Sequence, residues 1–196
     1  MEGRGRMTEV EPITVARPWH IRMALLHPAW LLLATMLMFL GQLAVLDPTP
    51  TGIILAGVCT VAMVWFLLGW TYGIYRVARD VSEQAGIERG PDRGWVVGMS
   101  AVAILVLPIA LVDLPPVLEG LRDLVGGVGA LSFFASFWLA AAALVTAEGH
   151  PVRYPTNRAV GAFLLIVYSF IGAWFLRPRI LALLDAPRPP EEVRLD

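Results

Sequence analysis

"GAFLLIVYSFIGAWFLRPRI", residues 161–180, decides what kind of chain this is. No charged residue occurs from 159 to 176, and Arg177, Pro178 and Arg179 follow at once. A tract of that length approaches the ~20 residues that carry a helix across a ~30 Å hydrocarbon core. The two arginines read as a stop at the headgroups, where guanidinium groups reach phosphate while their stems stay at the acyl boundary. Pro178 between them opposes simple continuation of the helix.

Working outward from this tract, the same pattern recurs. Neutral stretches run over 23–46, 48–75, 94–112 and 124–147, each at least eighteen residues long. A charged side chain at mid-membrane costs roughly 2.5–3.5 kcal/mol, so their clearance of charge has a physical cause. Only 16% of the 196 residues are charged, where a soluble domain carries about 25%. The sequence therefore predicts an all-α membrane protein with five transmembrane helices, at about 28–46, 52–75, 95–112, 128–147 and 159–176. They form one helical domain over 20–184, between a disordered tail at 1–19 and a Pro-rich tail at 185–196. The net charge of −1 offers nothing to attract nucleic acid. The lone Cys59 has no partner for an internal disulfide.

The connections refine this plan. "DPTPT" after the first span is too short for a domain, so spans one and two form an antiparallel hairpin. Span two runs on into "RVARDVSEQAG", where Arg76–Asp80 and Arg79–Glu83 stand at i,i+4 and extend the helix to about residue 85. After span three, Leu114, Val117, Leu118, Leu121 and Leu124 share one helical face, which predicts a short interfacial helix. With the amino terminus inside, five spans leave ten arginines inside and five outside. If 94–125 instead enters and leaves on one side, bent near Pro108, the balance becomes thirteen against two. The alternative fold is thus four spans plus a re-entrant hairpin at 94–125, which neighbouring helices would have to cover.

Chemistry inside the spans is sparse. No ionisable residue lies well inside a tract; the polar side chains at depth are Gln42, Thr60, Ser100, Ser132 and Ser136. None of the serines has a histidine base at its depth, and no paired aspartates, His-Glu-x-x-His motif or Gly-rich phosphate loop is present. His20, His27 and His150 do not complete a metal or haem ligand set. No catalytic, cofactor-binding or metal-ligating residue is therefore assigned. The clearer signals concern packing: Gly69 and Gly73 make a Gly-x-x-x-Gly step, and Ser132, Ser136 and Ala140 a small-residue stripe. Such residues let helices approach closely, within one chain or between subunits. Trp30, Trp70, Trp95 and Trp174, with Tyr72, Tyr75 and Tyr154, sit near tract ends and are read with Arg177 and Arg179 as interfacial anchors.

The opening stretch also carries a resemblance. Phe163, Leu164, Leu165, Ile171, Gly172, Trp174, Phe175, Arg177, Pro178, Arg179 and Ile180 resemble the last span of small, uncharacterised multi-pass bacterial membrane proteins. The chain departs from that pattern at Ser169-Phe170, where an aromatic-Pro pair is usual, and at Arg177, where glutamine is usual. The likeness covers about twenty of 196 residues. It implies the bacterial inner membrane and no activity. The expected function is that of an accessory or scaffold subunit acting through helix–helix contacts in the lipid bilayer, with another membrane subunit or a second copy as partner. A small transporter or channel component is the second possibility, and a haem-binding or intramembrane enzyme the third.

Overall fold

The computed structural model describes residues 18–43, 49–87, 91–106, 116–150 and 156–185. Regular structure among them is entirely helical: α1 (Trp19–Ala24), α2 (Pro28–Leu43), α3 (Pro50–Gln84), α4 (Arg93–Val106), a 3-10 turn (Pro116–Leu118), α5 (Glu119–Ala147), α6 (Asn157–Val167) and α7 (Ser169–Asp185). The linkers at 44–48 and 107–115, with Pro108, lie outside the described residues, as do Tyr154 and most of both tails.

Helices α3 and α5 hold 35 and 29 residues, about 52 and 43 Å at the usual rise. Both are long and apolar enough to cross a membrane. The most apolar 18-residue stretch of α3 has mean hydropathy 2.3, yet only 22% of it is buried. A soluble core helix would hide such a surface. Here Ile53, Ile54, Val58 and Trp65 of α3 face outward, beside Met36, Leu37 and Leu40 of α2. A contiguous apolar surface of this kind suits hydrocarbon better than water.

Local chemistry sets the helix ends. The His27 imidazole accepts a hydrogen bond from the Ala29 N–H at 3.2 Å, with Pro28 opening α2. Thr49 accepts from the Gly52 N–H ahead of Pro50, and Thr156 from the Ala159 N–H at the start of α6, each at 3.2 Å. These side chains satisfy donors that the first turn leaves unpaired. Helix α3 ends in a left-handed glycine, Gly86 at φ 64°: Gly86 N–H donates to the Glu83 carbonyl and Ile87 N–H to that of Ser82. Helix α5 ends the same way at Gly149, φ 82°, with Gly149 N–H on Thr146 and His150 N–H on Val145. Both are Schellman caps, for which glycine is suited by its freedom at positive φ.

The relative directions of the helices follow from side-chain contacts. The Tyr75 hydroxyl donates to the Pro91 carbonyl at 2.9 Å and Arg79 pairs with Asp92 at 3.7 Å, so α4 starts beside the charged end of α3. Seven residues on, the Ser100 hydroxyl donates to that of Ser136 at 3.2 Å, and Ala143 lines a small cavity with Arg79 and Glu83. Hence α3 and α5 run parallel, with α4 antiparallel to both. The core between them holds Trp70, Ile74, Val77, Phe137, Ala140 and Leu144.

Two expectations change here. The segment expected to form a separate interfacial helix is, from Pro116 onward, the 3-10 turn and first turns of α5. Gly126 and Gly127 do not interrupt it; each costs only about 1 kcal/mol relative to alanine, which tertiary packing outweighs. The start of α5 then lies about 40 Å from its capped end, so the start of α4 and the start of α5 stand at opposite ends of the bundle. The second change concerns the last tract.

The tract 159–176 is not one helix. Helix α6 stops at Val167, Tyr168 takes φ −85° and ψ 48°, and α7 begins at Ser169. The chain doubles back there. Arg158 donates to the His150 ring at 2.7 Å, while Arg179 donates to both Glu148 carboxylate oxygens at 2.8 and 2.7 Å. In a continuous helix, positions 158 and 179 would stand about 31 Å apart; two arginines so separated do not reach neighbouring partners at 148 and 150. Helices α6 and α7 are therefore the arms of a hairpin with Tyr168 at its tip. Gly172 makes the turn sterically feasible, because a Cβ there would collide with the Leu165 backbone carbonyl. Helix α7 also runs through Arg177, Pro178 and Arg179 to Asp185 instead of stopping. Pro178 removes one hydrogen bond, to the Trp174 carbonyl, and the helix absorbs the loss.

Candidate functional site

The hairpin carries an open cleft along one side. Its volume is about 930 Å³, and Leu164, Leu165, Tyr168 and Ile171 form its apolar walls. Gly161 and Ala162 keep the α6 wall thin, and Glu148, Arg158 and Arg179 stand at its mouth. Each of these groups is placed by a local feature already described. The Schellman cap at Gly149 presents Glu148 and His150 on successive sides of the α5 terminus. The Thr156 cap starts α6 so that Arg158 meets His150 within its first turn. The bidentate Glu148–Arg179 pair then fixes α7, with side chains 21% and 30% exposed.

A second polar network lies at the same end of the molecule, on α3. Arg79 donates to Glu83 at 2.6 Å and to the Tyr75 hydroxyl at 2.9 Å, while Tyr75 itself donates to Pro91. The Glu83 contact, followed by that of Tyr75, holds the Arg79 guanidinium above its already high usual pKa. This network fastens the α3–α4 connection. The associated cavity is only about 40 Å³, too small to admit a ligand.

The residues singled out from the sequence fall as follows. Gly73 lies against α1, where a Cβ would sit 2.9 Å from both the Ala24 nitrogen and the His20 oxygen; Gly69 faces only the tip of Met23, at 3.3 Å. This crossing lets Trp19 stack on Tyr72 and His20 reach Asp80 at 3.4 Å. Ser132, Ser136 and Ala140 are buried, and Ser136 also donates to the Ser132 carbonyl. Trp30, Trp95 and Trp174 are exposed, and Trp174 meets the His27 ring edge-on at 5.9 Å. Trp70 differs from the expected anchor: it is 1% exposed and its indole nitrogen has no partner among the described groups. Tyr75 likewise lies in the core. Proximity to a tract end did not distinguish an exposed ring from one turned inward. Arg177 has a buried Nε without a partner among the described residues, whereas Arg179 is held by Glu148. Glu148, Arg158 and Tyr168 were missed as site residues. The glycine after Glu148, a helix C-cap signal, was the available hint.

The Gly73 contact gives a direct expectation. Gly73→Val should displace α1 and cost about 1–3 kcal/mol, the usual range for overpacking, because the atoms it meets are backbone. Gly69→Ala meets one flexible methyl and should cost well under half as much. Thermal unfolding of both variants in detergent measures the difference.

Comparison with family models, with curated proteins and with solved structures finds no match for this chain.

Proposed function

We propose that this is a multi-pass protein of the bacterial inner membrane, with α2 to α5 as four spans and α6–α7 as a re-entrant hairpin entering from the cytoplasm. It works by binding, as an accessory or scaffold subunit. The observation that carries the topology is the distribution of arginine. Among the described residues Arg22, Arg76, Arg79, Arg93, Arg158, Arg177 and Arg179 belong to the end where α3 and α5 finish, and Arg122 alone to the other. An excess of that size belongs to the cytoplasmic face. The bacterial assignment rests on the resemblance of the last tract.

Binding is favoured over bond-making because the polar groups around the cleft hold helices together. The Glu148–Arg179 and His150–Arg158 contacts close the hairpin rather than converge on one reacting atom. The Gly69–Gly73 and Ser132–Ser136–Ala140 surfaces are occupied within the chain. A partner subunit would thus meet the exposed faces of α2 and the first half of α3. A transporter or channel component is the second reading. It draws on the broken helix at Tyr168, since irregular backbone at membrane depth is tolerated where protein covers it or a cavity lies beside it.

Topology is tested by single cysteines in a Cys59→Ala background. A cysteine at Asp185 should react with a membrane-impermeant maleimide only after the cells are permeabilised, and one at Gly120 in intact cells. Labelling of position 185 in intact cells would mean that the last tract crosses the membrane and would defeat the hairpin placement.

A further inference from the structure

We propose that the α6–α7 cleft is a binding site for an anionic phospholipid of the cytoplasmic leaflet, with the phosphate at Arg158 and an acyl chain between the helices. The inference deepens the binding function proposed above and rests on that placement of the hairpin. Three observations converge on this ligand.

The first is depth. Helix α6 has 11 residues, a rise of about 16 Å, or half of a ~30 Å hydrocarbon core. From its charged mouth to the turn at Tyr168, the cleft is one leaflet deep. The second is shape. At about 930 Å³ it lies near the top of the ~300–1,000 Å³ range of small-molecule sites. Leu164, Tyr168 and Ile171 are exposed along its side, so a chain can enter laterally from the bilayer. Its upper wall is opened by Gly161, where an added Cβ would meet nothing within 4 Å.

The third is charge. Glu148 neutralises Arg179 through a bidentate pair. Among the described residues Arg158 hydrogen-bonds the His150 ring, and no carboxylate pairs with it. Of the described charges at the mouth, the guanidinium of Arg158 is thus the one left unneutralised, and the proposed placement sets it at headgroup level. Its planar fork matches two phosphate oxygens, and such charge-assisted pairs are the strong ones. An apolar slot one leaflet deep, ending in an unmatched arginine, complements an anionic lipid. A zwitterionic lipid supplies its own cation and gains less.

The test uses the full chain in mild detergent, titrated with phosphatidylglycerol, with phosphatidylethanolamine of the same acyl chains, and with glycerol phosphate, and followed by native mass spectrometry. Phosphatidylglycerol should bind at least about tenfold more tightly than either comparator. Arg158→Gln should lower its affinity about tenfold, the loss expected for one charge-assisted contact, while Arg93→Gln at the same end of the molecule leaves it unchanged. Gly161→Phe projects into the open slot and should abolish lipid binding without lowering the unfolding temperature, which keeps the test valid if Arg158→Gln folds poorly. Equal affinity for the two lipids, full affinity of Gly161→Phe, or glycerol phosphate binding as tightly as the lipid would each overturn the proposal. Because these measurements are made in detergent, they do not depend on sidedness. Labelling of position 185 from outside would overturn the hairpin placement separately.

Discussion

Replacing Gly172 with valine is expected to cost more stability than any other single change in the hairpin. The Cβ of any other residue would fall on the Leu165 carbonyl carbon and oxygen, backbone atoms that cannot rotate away as a side-chain tip does. Relief requires the turn at Tyr168 to open, separating α7 from α6 and disturbing its packing on α2 and α3. Overpacking of a well-packed site typically costs 1–3 kcal/mol. Here the atoms belong to the turn itself, so about 3 kcal/mol is expected for valine and somewhat less for alanine. Gly161→Ala, in the same hairpin but facing open space, should be close to neutral. Thermal unfolding in detergent, with limited proteolysis at 167–170 as a second readout, separates the two. Similar losses at both positions would mean that general helix flexibility, not the close approach at Gly172, governs this region.

That glycine also shows where the sequence was legible and where it was not. The all-helical class and the two long apolar helices could be read from the charge-free tracts, because a run without charge is a one-dimensional signal. The extension of α3 to Gln84 was readable from Arg76–Asp80 and Arg79–Glu83, since i,i+4 spacing is local; the pairs stand at 3.5 and 2.6 Å. The hairpin was not readable in this way. Nothing around Tyr168 is a Pro-Gly turn, and "AFLLIVYSFIGAWFL" satisfies a span by hydropathy alone. Its turn is imposed by contacts distant in sequence, above all Glu148 with Arg179, 31 positions apart. Pro178 was misleading for a related reason. A proline disfavours a helix locally, but packing of Leu176 and Ile180 in the core carries α7 past it. The sequence reading placed five spans first and a re-entrant hairpin at 94–125 second, drawn there by Pro108, whereas the sharp helix break lies at Tyr168. For Trp70, sequence position could not tell which side of the helix faces the core.

Removing the carboxylate of Glu148 is the second change with a large expected effect, and its two consequences should have opposite signs. The Glu148–Arg179 pair closes the open end of the hairpin through two parallel hydrogen bonds of 2.8 and 2.7 Å. Both side chains remain partly exposed, so the 3–5 kcal/mol lost on breaking a fully buried pair is an upper bound, and the ~0–1 kcal/mol of a surface pair a lower one. Glu148→Ala is therefore expected to cost about 2 kcal/mol. Asp123→Ala, which removes the 75% exposed partner of Arg122, should stay within ~0.5 kcal/mol. The Glu148→Ala/Arg179→Ala double mutant should lose clearly less than the sum of its singles, because these residues interact directly. Meanwhile Arg179, released from its partner, adds a second unneutralised guanidinium to the cleft mouth. Phosphatidylglycerol should then bind more tightly to Glu148→Ala than to the parent protein, even though the variant unfolds at a lower temperature. A purely structural ion pair moves stability and binding in the same direction, since loosening the hairpin would also spoil the cleft. Weaker lipid binding by a folded Glu148→Ala protein would show that the pair shapes the cleft rather than restrains its charge.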